Sequence, residues 1–252
     1  MTGGVGVAIP AAGAGRRLGG RKKAYLELAG QPVLQHALEP FLASDEVVAV
    51  AVALPGEDLD DPPGWLTGWD PRIRLIAGGG TRLHSVLAAL EALDGMGVDD
   101  APEVTLVHDG ARPLVTDEII RRCIAGAREG EGTVAGWPAV DTLKEVDGNR
   151  MVVATPDRRQ LWRAQTPQAF PHDRLLEAYR SAVQAGVEAT DDAAIYAHAG
   201  GAVRMVEGSP WNFKVTHPDD IPVAEFLLGR RTDASADSVS AEDSEVGKGP
   251  TR

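Results

Sequence analysis

The sequence predicts an α/β protein with a mostly parallel, mixed sheet covered by helices on both faces. Three observations carry that prediction. Short, continuously apolar runs recur along the chain. Longer stretches with helical spacing separate them. A glycine-rich, cationic turn follows the first run directly, at the edge where such sheets bind ligands. Val5–Pro10 reads as a buried first strand and Pro32–Ala43 as a helix with apolar residues at helical spacing. Val47–Leu54 is almost wholly apolar, as a central strand requires, and Ile73–Ala77 is a shorter third strand. Leu83–Leu93 reads as a helix, Val104–Val107 as a buried strand and Asp117–Glu129 as a helix.

From Thr133 to Trp162 the rhythm breaks. Val134–Val140 reads as a strand. Asp141–Val146 and Arg150–Thr155 flank Asp147-Gly148, which is a hairpin signal. A lone hairpin is marginal in water, so this arm, about residues 137–162, is expected to pack on something, a second subunit being one option. Helices return at Arg174–Ala185 and Ala193–His198. Ala202–Val206 and Asn212–Thr216 read as strands. A last helix is expected near Pro218, with Asp219 and Asp220 in its first turn.

At 252 residues the chain holds one large domain or two small ones. The sequence favours a single domain over 1–229. Residues 230–252 are rich in Ser, Asp, Ala and Gly, lack aromatics and are expected to be disordered. The 37 acids against 25 bases leave −12, which argues against a general nucleic-acid binder. A nucleotide substrate, which needs only a few local cations, stays open. The single cysteine, Cys123, excludes an intrachain disulfide and a Cys-clustered metal site. No apolar run reaches the roughly 20 residues of a membrane span. The N-terminus lacks a basic segment followed by an apolar stretch, so a cytoplasmic protein is expected.

Six segments carry candidate chemistry. Pro10–Lys23 contains Ala11, Ala12, Gly13, Ala14 and Gly15, then five cations within eight residues, including Arg17 and Lys23. Small residues let a backbone approach phosphates, so a polyphosphate site is expected. Leu18 occupies the third glycine position of a dinucleotide fingerprint, and no Lys-Ser/Thr pair makes a P-loop. In Val107–Pro113, Asp109 emerges after a buried strand. It is placed to hold Mg²⁺, which takes a carboxylate or two plus substrate phosphates, or else to pair with Arg112 or cap a helix. Ala77–Val86, with Gly79, Gly80, Arg82 and Ser85, is a flexible loop entering a helix, where backbone groups and Ser85 are placed to read a base edge or the segment simply starts the helix. Asp157–Gln168, with Arg158 and Thr166, is either a second anion site or a polar surface segment. Thr190-Asp191-Asp192 is an N-cap sequence. Asn212–Thr216 carries one cation, Lys214.

These segments, in this order, resemble the 2-C-methyl-D-erythritol 4-phosphate cytidylyltransferase family over about residues 5–228. The resemblance rests on Ala11-Ala12-Gly13…Arg17-Leu18…Lys23-Ala24-Tyr25-Leu26, on Val107–Pro113, and on Leu161-Trp162 with Gln165–Gln168. Thr190–Ala193 and Asn212–Thr216, followed by Pro218 and Asp220, complete it. It implies a Rossmann-like nucleotidyltransferase fold with a protruding β-arm that exchanges between two subunits. It implies transfer of CMP from CTP to methylerythritol phosphate, with release of pyrophosphate, in non-mevalonate isoprenoid synthesis. Arg17, Lys23 and Lys214 then match catalytic cations and Asp109 the Mg²⁺ ligand. Ala11–Gly15, Gly79, Gly80, Arg82 and Ser85 match nucleotide-binding positions. Arg158, Thr166, Asp109 and Thr190 match substrate-binding positions, with Arg158 and Thr166 reaching across a homodimer.

This chain reads Lys22-Lys23-Ala24-Tyr25 where the family has Pro-Lys-Gln-Tyr, has Gly110 for the family's usual Ala, and carries a shorter loop before Lys23. Cytidylyltransferases acting on ribitol 5-phosphate or another polyol phosphate tend to open with Ala-Gly-Gly; Ala11-Ala12-Gly13 favours methylerythritol phosphate. A non-catalytic nucleotide-binding module is disfavoured by the retained cations. A Rossmann dehydrogenase is disfavoured by Leu54-Pro55-Gly56, where a ribose-binding acid would stand.

Overall fold

The structure is a computed structural model that describes residues 3–13, 23–95 and 101–230. In chain order its elements are β1 (Val5–Pro10), the small hairpin β2 (Glu27–Leu28) and β3 (Gln31–Pro32), α1 (Val33–Leu42), β4 (Val47–Leu54), α2 (Glu57–Asp60), β5 (Ile73–Ala77), α3 (Arg82–Asp94), β6 (Val104–Val107) and α4 (Asp117–Arg128). Then come β7 (Gly132–Pro138), β8 (Glu145–Val146), β9 (Val152–Ala154), β10 (Trp162–Pro171), α5 (His172–Ala185), α6 (Asp192–His198), β11 (Val203–Glu207) and a helix α7 over 220–230.

Seven strands form one sheet in the order β11-β7-β10-β6-β1-β4-β5. All neighbouring pairs are parallel except those made by β10, which runs antiparallel to both β6 and β7. The period of two along a strand sorts the core into two layers. Val5, Val7 and Ile9 of β1 and Val50, Val52 and Leu54 of β4 pack against Leu34, Leu38 and Phe41 of α1 and Ile120 and Ile124 of α4. Ala8, Ala49 and Ala51 face the other way, against Val86, Leu90 and Leu93 of α3 and Tyr179 of α5. The alanines let α3 lie close to the sheet. This carries its first turn to the carboxyl ends of β1 and β4.

Most expected elements form within two residues of their expected ends. Three do not. Asn212–Thr216 is irregular chain rather than a strand. Its backbone is tied by single bonds, Val215 N to Ala111 O at 2.8 Å among them. The last helix starts at 220, because the Asp220 carboxylate turns back to accept from the backbone N–H groups of Thr216 and His217. The second half of Asp157–Gln168, which reads as a polar segment, belongs to an interior strand, Trp162–Pro171. Its pairing with β7 is interrupted between Ala164 and Gln168, where Pro167, lacking an N–H, is tolerated.

The hairpin forms, but with strands of two and three residues, and its left-handed residue is Arg150 (φ 64) rather than Gly148. Asp147 Oδ1 accepts from the N–H groups of Asn149 and Met151 and closes the turn. Every residue from 140 to 160 is exposed. The segment expected to be a disordered tail lies outside the described residues beyond Arg230.

The loops after β1 and β5 touch. Gly78 N donates to Leu54 O at 2.7 Å, and a Cβ at Gly78 would fall 2.4 Å from the Ala12 Cβ and 3.2 Å from Leu54 O. Gly78→Ala is therefore expected to cost about 1–3 kcal/mol and lower the melting temperature in a thermal scan. An unchanged melting temperature would show that the two loops part freely.

Candidate active site

The parallel ladder ends on one edge. Ala11 N donates to Ala53 O at 2.9 Å and His108 N to Ala8 O at 3.0 Å. The turns after β1, β5 and β6 thus meet in a crevice at the carboxyl ends of the strands, the ligand-binding position of open α/β sheets. Ala11, Ala12 and Gly13 border it on one side and Gly79, Gly80 and Ser85 on another. Ser85 braces the second loop: its hydroxyl accepts from Gly79 N at 3.1 Å and donates to Thr81 O at 3.0 Å.

Asp109 is the centre of the crevice. It is 8% exposed and has three cations around its carboxylate. Lys214 Nζ donates to Oδ2 at 2.9 Å, Arg112 Nε lies 3.6 Å from Oδ2, and Arg82 Nε lies 3.5 Å from Oδ1. Burial opposes ionisation of this carboxyl, but Lys214, Arg82 and Arg112 together outweigh it and hold the group well below the usual carboxylate range. Asp109 is thus a permanent anion at working pH. Its side chain is almost closed to solvent, whereas those of Arg82 and Lys214 are about one-third exposed and form the open side.

The cations come from three separate segments, each fixed by its own bonds. Arg112 Nη1 donates to Asn212 O at 2.8 Å, which ties the loop after β6 to the segment carrying Lys214. Asn212 Nδ2 donates to Thr166 O at 2.9 Å, and Gln165 Nε2 donates to Ser209 O at 2.6 Å. β10 therefore straps the 209–216 segment across the crevice. Arg82 opens α3. Its guanidinium is gripped by Asp192, Nη1 to Oδ1 at 2.7 Å and Nη2 to Oδ2 at 2.8 Å, and the Tyr179 hydroxyl donates to the same Asp192 Oδ1.

Thr166 and His108 fix the Asp109 backbone from beneath. The Arg112 carbonyl can only accept, so His108 Nε2 carries the proton in that 3.1 Å bond. His108 Nδ1 then accepts from the Thr166 hydroxyl at 3.1 Å, and the same hydroxyl accepts from Asp109 N at 3.0 Å. Burial pushes His108 down from its ordinary 6.5 to about 4, against the opposing pull of its Arg112 bond. The ring is neutral at working pH.

The structure gathers Asp109, Lys214, Arg82 and Thr166 in one chain. Arg158 stays apart, on the exposed arm, where its Nη1 donates to Val140 O at 2.6 Å. Thr190 is exposed, beside the α6 cap in which Asp191 Oδ1 accepts from Ala194 N at 3.0 Å. Ala14, Gly15 and Arg17 lie outside the described residues, as does the Lys23 side chain. The Lys23–Tyr25 turn is held by the buried Ala24 and by Tyr25, whose hydroxyl donates to Asp58 at 2.7 Å. His108, Tyr179 and Asp192 belong to the site beyond the residues picked from sequence, and Arg112 pairs with Asp109, the alternative that the sequence left open. No sequence signal marks Asp192: a second aspartate in a helix's first turn is ordinary, and it stands beside the capping Asp191.

His108 generates a pH prediction. Between about pH 4 and 6.5 the unfolded chain binds a proton at this ring and the native state does not. Stability from this group is thus present above 6.5 and lost as pH falls toward 4, by about 3 kcal/mol. Thermal melts across that window are expected to show a shallower acid loss in His108→Gln than in the parent. Parallel curves would contradict the buried neutral ring.

The comparisons agree with the geometry. The family model described as 2-C-methyl-D-erythritol 4-phosphate cytidylyltransferase matches residues 5–230. A relative of that name from Trichodesmium erythraeum is 41% identical over 225 residues, covering 87% of this chain and 96% of the relative. The crystal structure of 4-diphosphocytidyl-2C-methyl-D-erythritol synthase from Anaerococcus prevotii superposes with a TM-score of 0.77 at 27% identity, covering 90% of this chain and 96% of that one. The crystal structure of 2-C-methyl-D-erythritol 4-phosphate cytidylyltransferase from Thermus thermophilus gives 0.73 at 32% identity, covering 90% and 98%. With a family-wide match that spans every strand of the sheet and the whole Asp109 crevice, the chain belongs to the 2-C-methyl-D-erythritol 4-phosphate cytidylyltransferase family.

Proposed function

We propose that this chain transfers CMP from CTP to 2-C-methyl-D-erythritol 4-phosphate, releasing pyrophosphate. The observation that carries the reading, beside family membership, is the ionised Asp109 set among three cations at the carboxyl ends of the strands. The attacking phosphate oxygen is already an anion and needs no general base. The barrier lies in bringing two anions together and holding the charge that builds at the α-phosphorus. Positioning and electrostatics therefore do the work. Lys214 and, by resemblance, Arg17 and Lys23 stabilise the five-coordinate phosphorus. The backbones of Ala11–Gly15 and of Gly79 and Gly80, with Ser85, cradle the nucleotide, and Arg82 supports that edge. Thr166 holds the Asp109 backbone. Thr190 at the α6 cap and Arg158 on the arm serve the sugar phosphate.

Mg²⁺ suits this donor set. Among the described residues no cluster of three His, Cys, Asp or Glu forms a protein-only cage. Asp109 offers one hard, ionised carboxylate, which is how Mg²⁺ binds when substrate phosphates supply the remaining ligands. Asp109 would hold the ion. When bound, Mg²⁺ neutralises the triphosphate and the leaving pyrophosphate.

The arm supports a homodimer. Val140, Met151, Val152 and Val153 are each more than half exposed, an apolar stretch of a kind that marks protein contacts. The acidic chain favours neither nucleic acid nor membrane as a partner. Among the described residues no helix is long and apolar enough to cross a membrane. A cytoplasmic location fits the proposed substrates.

Two experiments test this. Pyrophosphate release with CTP and a panel of polyol phosphates is expected to require methylerythritol phosphate, and Lys214→Ala is expected to cut kcat about a hundredfold. Faster turnover of ribitol 5-phosphate, or an unchanged kcat in the variant, would reject the substrate or the role. Light scattering after size exclusion is expected to give a dimer for the parent and a monomer for Val153→Asp; a persistent dimer would place the interface elsewhere.

A further inference from the structure

We infer that Asp192 is a positioning residue that withholds the guanidinium fork of Arg82 from Asp109, and so keeps the Asp109 oxygens open to an incoming ligand. The inference rests on the proposed nucleotidyl-transfer reading of the same crevice.

The bidentate pairing of a guanidinium with a carboxylate is the favoured geometry for those two groups. Arg82 stands between two carboxylates. It gives the fork to Asp192, at 2.7 and 2.8 Å, and only Nε faces Asp109, at 3.5 Å. Asp192 is fully buried and cannot turn to solvent. The Tyr179 hydroxyl from α5 donates to the oxygen that takes Arg82 Nη1, and fixes the carboxylate from behind. Tyr179 is itself fully buried, so the orientation is set by packing. Four residues on three helices and one loop thus form a line: Tyr179, Asp192, Arg82, Asp109.

The charge count shows why the line matters. Arg82, Arg112 and Lys214 supply three positive charges, and Asp109 and Asp192 two negative ones, leaving one positive charge for an anionic ligand. Without Asp192 the count rises to two, which by charge alone predicts tighter anion binding. The geometry predicts the opposite. A released fork swings onto Asp109, occupies both oxygens and competes with any cation–phosphate ligand that needs them. The two effects have opposite signs, so one measurement separates them.

The test is calorimetric binding of CTP with Mg²⁺ to the full-length protein, alongside pyrophosphate release. Asp192→Asn is expected to weaken CTP binding about tenfold or more. Adding Arg82→Gln to that variant removes the competing fork and is expected to recover at least threefold of the lost affinity. A double variant that binds no better than Asp192→Asn would overturn the inference, as would tighter binding in Asp192→Asn. Should Asp192→Asn fail to fold, Tyr179→Phe decides: it keeps the ring and removes the hydroxyl, and a two- to fivefold weaker binding of CTP is expected, whereas an unchanged affinity overturns the inference. A parent protein that binds CTP in this pattern yet releases no pyrophosphate would reject the proposed reaction and leave the positioning role standing.

Discussion

The structure turns on one buried carboxylate. Asp109 stands two residues beyond the end of β6, buried in the protein, where an unpaired charge would be prohibitively costly. It stays charged because Arg82 and Lys214, far away in sequence, and Arg112, three residues on, converge on it. Each convergence has a structural cause. The alanine face of the sheet brings α3 and Arg82 close. The Arg112–Asn212 bond and the β10 strap deliver Lys214. The His108–Thr166 pair holds the backbone of Asp109 itself. A site of this kind is preorganised, since its dipoles and charges are in place before any ligand arrives.

That convergence explains the division between the inner and outer parts of the crevice. Arg112 and Asp192 are deep and spend their charges on the protein. Lys214 and the backbone of the glycine turns face outward and have capacity left for phosphates. The family resemblance and the geometry meet at this boundary: Gly13, Gly79 and Gly80, which match nucleotide-contacting positions, are exposed, and the buried Ser85 braces the second of these turns from behind.

Much of the fold was legible from local sequence. Val47–Leu54 could be little but a central strand, and β1, β5 and β6 declared themselves in the same way. The misreadings share a physical origin. β10 reads as polar because Gln165, Thr166 and Gln168 are buried with their hydrogen bonds satisfied by residues far away in sequence. Asn212–Thr216 alternates like a strand, but the edge it reaches is a loop. Asp109 and Lys214 were visible as lone charges beside apolar runs. Asp192 was hidden behind its neighbour Asp191, which makes the expected cap. A partner in space, such as Arg82 for Asp192, leaves no mark in the spacing of either.

On the proposed reaction, the triphosphate of CTP is drawn to the charge cluster around Asp109. Crystals grown with CTP and Mg²⁺ test it most directly. The account places the phosphate oxygens within hydrogen-bond distance of Lys214 Nζ, with the metal on an Asp109 oxygen. A triphosphate lying against the arm, with Lys214 still bonded to Asp109 and no phosphate beside it, would contradict it.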